Sequence, residues 1–219
     1  DYWIPVRPES DASFFLGACK MMLDEGLYDA DYCRSYTDMP LLVRTDTLQY
    51  LDPRDVFKDY QFPDFSKSYS GMVQTLTPAQ VARLGGPMVW DLNKDQAVPI
   101  HRELVGWHFK KRGIDPALTG TYRVILLNGR EVDVMPIFQM YQVHLQDYDL
   151  DTVHQICRSP KDLIVRWARD VGTVKPSAIH NGEGVCHYFH MTQNGRAAAL
   201  THIYTGNIGK FGSGCHTWS

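Results

Sequence analysis

Apolar positions in this chain recur at two different periods, and the switches between them set the expected elements. In "ASFFLGACKMMLDEG", Phe14, Phe15, Ala18, Met21 and Met22 fall on one helical face, with Ser10 or Asp11 as N-cap and Gly26 as stop. Ahead of that helix, "YWIPV" within residues 1–8 is aromatic and β-branched and reads as a strand, which Pro5 and Pro8 confine to an edge or a terminus. A short helix over "DADYCRSYT" and a short strand over "MPLLVRTD" follow. "TPAQVARLGG" carries Thr77 as cap, Pro78 at the first helical position and Gly85 as stop. "PMVWDLNKDQAVPIH" and "TYRVILLNGREVDVMP" read as strands, the second folded back at Asn128-Gly129. After an apolar-to-acidic stretch over 136–158, Ser159-Pro160-Lys161-Asp162 supplies an N-cap, a proline at N1 and an acid at N3. The helix it opens, "PKDLIVRWARDVG", ends at Gly172. "KPSAIHNG" reads as a buried strand entering the turn Gly182-Glu183-Gly184, and "QNGRAAALTHIYTG" as a helix leading into a glycine-rich loop.

The recurrence of strand, glycine turn and helix gives an α/β class. The expected division places the end of one α/β domain in residues 1–50 and an insertion with a β hairpin in 51–150. Part of a second α/β domain then occupies 151–219. The chain starts without Met, at an apolar stretch and a helix start, and stops in a glycine loop. An internal fragment of a larger protein is therefore expected.

Composition narrows the function classes. Hydrophobic residues make up 44% of the 219, which supports a packed core and excludes disorder. A net charge of −3 argues against a general nucleic-acid surface. No run reaches the ~18–20 apolar residues that span a bilayer. The five cysteines are odd in number and none forms CxxC, so neither a structural zinc site nor a disulfide scaffold is indicated.

Chemistry concentrates at three places. Gly206, Asn207, Gly209 and Gly212 lie in a loop whose glycines would let backbone N–H groups approach a ligand, or which simply ends a helix. Walker A and Rossmann spacings both fail there. Asn181, Gly182 and Gly184 stand at the carboxyl end of the "SAIHN" strand, where open α/β sheets bind ligands. Ser10 and Asp11 suffice as a cap, but a carboxylate there also matches the paired N1–H and N2–H₂ donors of guanine. These three turns are expected to meet around one large guest. His180, His187, His190, His202 and His216 crowd the last forty residues. His187 and His190 lack a third ligand at a fitting spacing, so a polar-pocket histidine is favoured over a metal pair, and His202 is expected to pack within its helix.

"WIPVRPESDASFFLG" resembles the "RPGTDxALxxG" element of the molybdopterin oxidoreductase (dimethyl-sulfoxide-reductase) superfamily. "EGLYDADYCRSYTDMPLLV" and the block from "SPKDLIVRWARDVG" to "TGNIGKFGSG" are similar to the segments that follow it there. The three blocks cover about half the chain, in order. Glu9 stands where the family often has Gly. "YTDMPLLVR" and "HYFH" resemble the branch of nitrate reductase and nitrite oxidoreductase alpha subunits, nearest its nitrite-oxidising members. Perchlorate, selenate and chlorate reductases and ethylbenzene dehydrogenase lie close by. The resemblance implies Rossmann-like cofactor-binding elements with a small β insertion. It implies molybdenum held by two molybdopterin guanine dinucleotides, and a 4Fe-4S iron–sulfur cluster in an N-terminal part outside this chain. It also implies an iron–sulfur beta subunit, with a haem or membrane-anchor subunit beside it, a small oxyanion substrate, no nucleic acid and a membrane-associated complex. Carried onto this sequence, Ser10 and Asp11 would bind one guanine, while Asn181, Gly182 and Gly184 would let backbone approach the cofactor. Gly206, Asn207, Gly209 and Gly212 would form a loop near the pterin. His187 would donate a hydrogen bond to nitrite or nitrate during oxygen-atom transfer. No metal ligand is expected in these residues. A guanine-nucleotide-binding module without redox activity would use Asp11 and the glycine turns equally well.

Overall fold

A computed structural model describes residues 1–61, 86–100 and 107–217. The helix expected over 77–85 lies outside them. In chain order the elements are α1 (Asp11–Asp24), α2 (Ala30–Tyr36), β1 (Leu42–Arg44), α3 (Pro53–Val56), β2 (Met88–Asp91) and β3 (Gln96–Pro99). Then come α4 (Trp107–Arg112), β4 (Tyr122–Ile125), β5 (Glu131–Pro136), α5 (Ile137–His144) and a 3-10 turn, Leu145–Asp147. The chain continues with α6 (Leu150–Cys157), α7 (Lys161–Thr173), β6 (Ala178–Asn181), α8 (Glu183–Cys186), α9 (Met191–Tyr204) and β7 (Gly214–Thr217). Helix and strand are mixed, as the sequence pattern predicts. The residues form two compact units, Asp1–Cys33 with Tyr141–Ser219, and Arg34–Met140. Residues 1–33 thus join the C-terminal segment in one unit, whereas the expected division set 1–50 and 151–219 apart.

The unit of residues 34–140 is a small β structure. A three-stranded antiparallel sheet runs in the order β1-β5-β4, and β2–β3 is a hairpin. Alternation in β5 buries Val132 and Val134 and turns Glu131 outward, the period-2 signature of a one-sided sheet. The Asn128-Gly129 turn forms as expected: Gly129 has φ 80°, and the Leu126 amide donates to the Arg130 carbonyl at 2.8 Å. Leu42, Leu51, Met88, Val124 and Val134 fill the core, and Trp90 stacks on Tyr122 at 4.3 Å between ring centroids.

The other unit is built around α1. Its buried face (Phe14, Ala18, Met22) meets Val153 of α6 and Ile164, Ala168 and Val171 of α7. A Cβ at Gly17 would stand 2.7 Å from Val153, so glycine is what lets α1 and α6 approach this closely. α9 lies along α1 as well, and β6 and β7 form a parallel pair, 178↔214 through 181↔217. Parallel neighbours need a crossover, which α8 and α9 provide.

Three local expectations change. Residues 1–7 form no strand: among the described residues their backbone amides and carbonyls pair with other elements' backbone only through the Arg7 amide, which donates to the Cys157 carbonyl at 2.7 Å. Pro160, not Ser159, precedes α7, and the buried Ser159 hydroxyl donates to the Pro5 carbonyl at 2.6 Å. β6 buries only Asn181 fully, where a strand buried throughout was expected.

Candidate functional site

The helix start at α1 is assembled from two distant parts of the chain. Ser10 is the N-cap residue, but its hydroxyl makes no cap bond and instead donates to the Arg7 carbonyl at 2.6 Å. The cap comes from α9: Asn194 Oδ1 accepts the Ala12 amide at 3.0 Å, satisfying one of the unpaired donors of a first helical turn. Asn194 is fully buried, and its Nδ2 donates to the Val185 carbonyl at 3.4 Å. One side chain therefore ties the Ser10-Asp11 turn to α8, which follows the Gly182 turn. Glu9, just before, has φ 71°, in the left-handed region that favours glycine.

Asp11 opens α1 beside a cleft of about 700 Å³. The far walls are the extended segment containing Tyr2, Ile4 and Val6, Trp167 of α7, and residues 178–180 of β6. Burial raises the Asp11 carboxyl above its ordinary value, opposed by its own backbone N–H. Phe14, Phe15 and Trp167 meet edge-on at 5.4–5.6 Å and make one side aromatic. At the rim, Arg166 covers the Tyr2 ring at 4.2 Å and the Tyr2 hydroxyl donates to Asp170 at 2.8 Å. Ser13, in the first turn of α1, buries a hydroxyl with no hydrogen-bond partner among the described residues.

At the carboxyl end of β6, Asn181 is 3% exposed and its Nδ2 faces Cys215 Sγ at 3.3 Å. Burial raises the Cys215 thiol, opposed by that amide. Gly182 has φ −82°, open to any residue, and Cβ atoms added at Gly182 or Gly184 would touch nothing within 4 Å. Both glycines are exposed, so the fold itself does not require them. His187, after α8, is exposed, and the exposed His190 ring stands edge-on to Phe189 at 4.8 Å. Among the described residues no three His, Cys, Asp or Glu side chains gather as a metal site.

The 206–212 loop lies elsewhere. It enters β7 at the amino end, and the parallel register puts that end three residues away from the Asn181-Gly182 turn, about 10 Å along the strands. Asn207 is buried and structural: its Oδ1 accepts the Ser177 amide at 3.2 Å and its Nδ2 donates to Thr205 Oγ1 at 2.8 Å. Gly206, Gly209 and Gly212 have φ of 67°, 79° and 75°. His202 is buried between Ser177 Oγ at 3.3 Å and Thr201 Oγ1 at 3.1 Å, and burial lowers its pKa. Of the three turns expected to converge, Asp11 and Asn181–Gly184 come together and the 206–212 loop does not.

No family model matches the sequence. Curated relatives do. The perchlorate reductase alpha subunit of Dechloromonas aromatica is 30% identical across 98% of this chain and 23% of that protein. The respiratory nitrate reductase alpha subunit of Haloferax mediterranei is 29% identical across 98% of this chain and 20% of that protein. The formate dehydrogenase alpha subunit of Megalodesulfovibrio gigas is 24% identical across 98% of this chain and 17% of that protein. The chain belongs to the molybdopterin oxidoreductase superfamily. It spans less than a quarter of the length of these relatives.

Reasoning from sequence did not single out two parts of this candidate site. Asn194 had a signal: a poor helix former inside "QNGRAAALTHIY", on the same face as Ala197, Ala198 and Thr201. Trp167 had none, because helical spacing cannot distinguish a core aromatic from a cleft wall.

Proposed function

We propose that this chain is the cofactor-cradling part of the catalytic subunit of a molybdenum-dependent oxidoreductase that transfers an oxygen atom between nitrite and nitrate. Its cofactor would be a bis(molybdopterin guanine dinucleotide). One observation carries the reading: the half-buried Asp11 carboxylate stands in a cleft, tied through Asn194 to a turn whose two glycines the fold does not need. A carboxylate at that point accepts the paired N1–H and N2–H₂ of guanine, which restores the hydrogen bonds that burial removes. Open backbone at Gly182 and Gly184 admits a polar ring system or pyrophosphate where any side chain would stand in the way. The role proposed for His187, exposed just past this turn, is to donate a hydrogen bond to an oxyanion. When bound, the molybdenum–pterin group supplies the two-electron redox step, while these residues bind and orient. The glycines of the 206–212 loop are explained by backbone conformation and sit at the other end of the strand pair, so the cradle we propose is limited to Asp11 through Gly184.

Relatives named for perchlorate and for nitrate stand at 30% and 29% identity, so a panel of nitrite, nitrate, perchlorate and selenate tests the oxyanion. Both are named as alpha subunits, which supports a multi-subunit complex; the partners proposed for it are an iron–sulfur beta subunit and a haem or membrane-anchor subunit. No described helix is long and apolar enough to cross a membrane. In the complete enzyme, Asp11→Ala should deplete molybdenum and pterin, read by metal analysis and pterin fluorescence. His187→Ala should keep both and lower turnover. Equal cofactor occupancy in the two variants would overturn these roles, and guanine-nucleotide binding by a metal-free full-length protein with no redox activity would favour the non-redox module.

A further inference from the structure

A second cavity, of about 260 Å³, lies within the unit of residues 34–140 and has no part in the cradle proposed above. Arg44, Arg54 and Arg130 line it, together with Asp55 and the turn of residues 126–128. Three guanidinium groups in one place repel one another, and carboxylates outside the lining hold them there. Asp46 accepts from Arg44 Nε at 3.0 Å and Nη2 at 2.8 Å, and from Arg130 Nη2 at 2.9 Å. Asp52 accepts from Arg54 Nε at 3.0 Å. These bonds orient the guanidinium forks and leave donors over. Arg44 Nη1 stands 3.8 Å from Asp55 Oδ2, beyond hydrogen-bond reach, and has no hydrogen bond among the described residues. Arg130 Nε and Nη1 have none among them either. Asn128 Oδ1 accepts the Arg130 amide at 3.0 Å, which leaves Nδ2 as a donor. The frame is fixed: the Leu127 amide donates to the Asp55 carbonyl at 2.7 Å, tying the β4–β5 hairpin to α3, and the Arg44 side chain is only 14% exposed.

We propose that this cavity binds a free, doubly charged tetrahedral oxyanion of the phosphate or sulfate type. Three arginines and one aspartate give the lining a net of two positive charges, which a dianion neutralises. Arg44 comes from the end of β1, Arg54 from α3, and Asn128 and Arg130 from the β4–β5 hairpin. Donors from three separate elements suit an acceptor with oxygens on every side. Forks already oriented by carboxylates lose little freedom on binding, and charge-assisted N–H···O bonds to an oxyanion are the strong kind. Asp55 opposes the ligand: its half-exposed carboxylate lines the same cavity and weakens the attraction.

The test titrates inorganic phosphate, and separately sulfate, into the complete protein by calorimetry, with sodium chloride at equal ionic strength as the monovalent control. Both dianions should saturate a site with Kd below about 1 mM, and chloride should compete at least about ten-fold more weakly. Arg130→Gln should weaken phosphate about ten-fold, because it removes a fork whose partner Asp46 keeps Arg44. Asp55→Asn should tighten phosphate by about three-fold, a gain that misfolding does not produce. Saturable binding that neither substitution alters lies elsewhere in the protein and overturns the proposal. So does the lack of saturable binding in both the unaltered protein and Asp55→Asn, and so does chloride competing as well as phosphate, which reduces the effect to ionic screening.

Discussion

At the amino end of the β6–β7 pair, Gly206, Gly209 and Gly212 all sit at φ between 67° and 79°, and a Cβ on Gly206 would stand 2.8 Å from Asp29 Oδ2. At the carboxyl end, Gly182 has φ −82°, and neither Gly182 nor Gly184 would bring a Cβ within 4 Å of anything. The two sets look alike in sequence and differ in cause. The first set is required by the chain's own geometry. The second is required by neither conformation nor packing, and the guest proposed above, coming close to the backbone, would supply a reason. A glycine motif identifies a binding site only after conformation and packing have been ruled out as its cause.

Four substitutions break or sharpen that contrast. Asn194→Ala should have the largest effect, because it strips the cap from α1 and leaves the Ala12 amide and Val185 carbonyl without their partner. A loss of about 2–4 kcal/mol is expected in urea unfolding. Gly206→Ala forces a side chain into the left-handed region and against Asp29, for a loss of about 1–3 kcal/mol by the same measurement. Glu9→Gly works in the opposite direction: relieving φ 71° should stabilise by about 1 kcal/mol, seen as a higher melting temperature. Gly182→Ala should change stability by less than about 0.5 kcal/mol. In the complete enzyme the same substitution should lower molybdenum content. If Gly182→Ala destabilised the fold as much as Gly206→Ala, the distinction between the two ends would fail.

Local patterns gave α1, α7, α9 and the Asn128-Gly129 hairpin close to their observed bounds, because periodicity and turn chemistry act within a few residues. The same patterns misread residues 1–8. Composition there favours a strand, but a strand needs a ladder of backbone partners, and among the described residues only the Arg7 amide finds one on another element, the Cys157 carbonyl. The expectation that three turns converge grouped Asp11 and Gly182–Gly184 with the 206–212 loop, whereas Asn194 ties only the first two segments together.

The sequence by itself determined the superfamily, the α/β class and the principal helices, and it marked the candidate site residues, since each depends on residue identity or short-range spacing. Only the tertiary structure decided which of those residues share a site. That choice rests on Asn194 reaching 182 positions along the chain to cap α1 and on the parallel register of β6 with β7, contacts between residues far apart in sequence that short-range spacing does not encode.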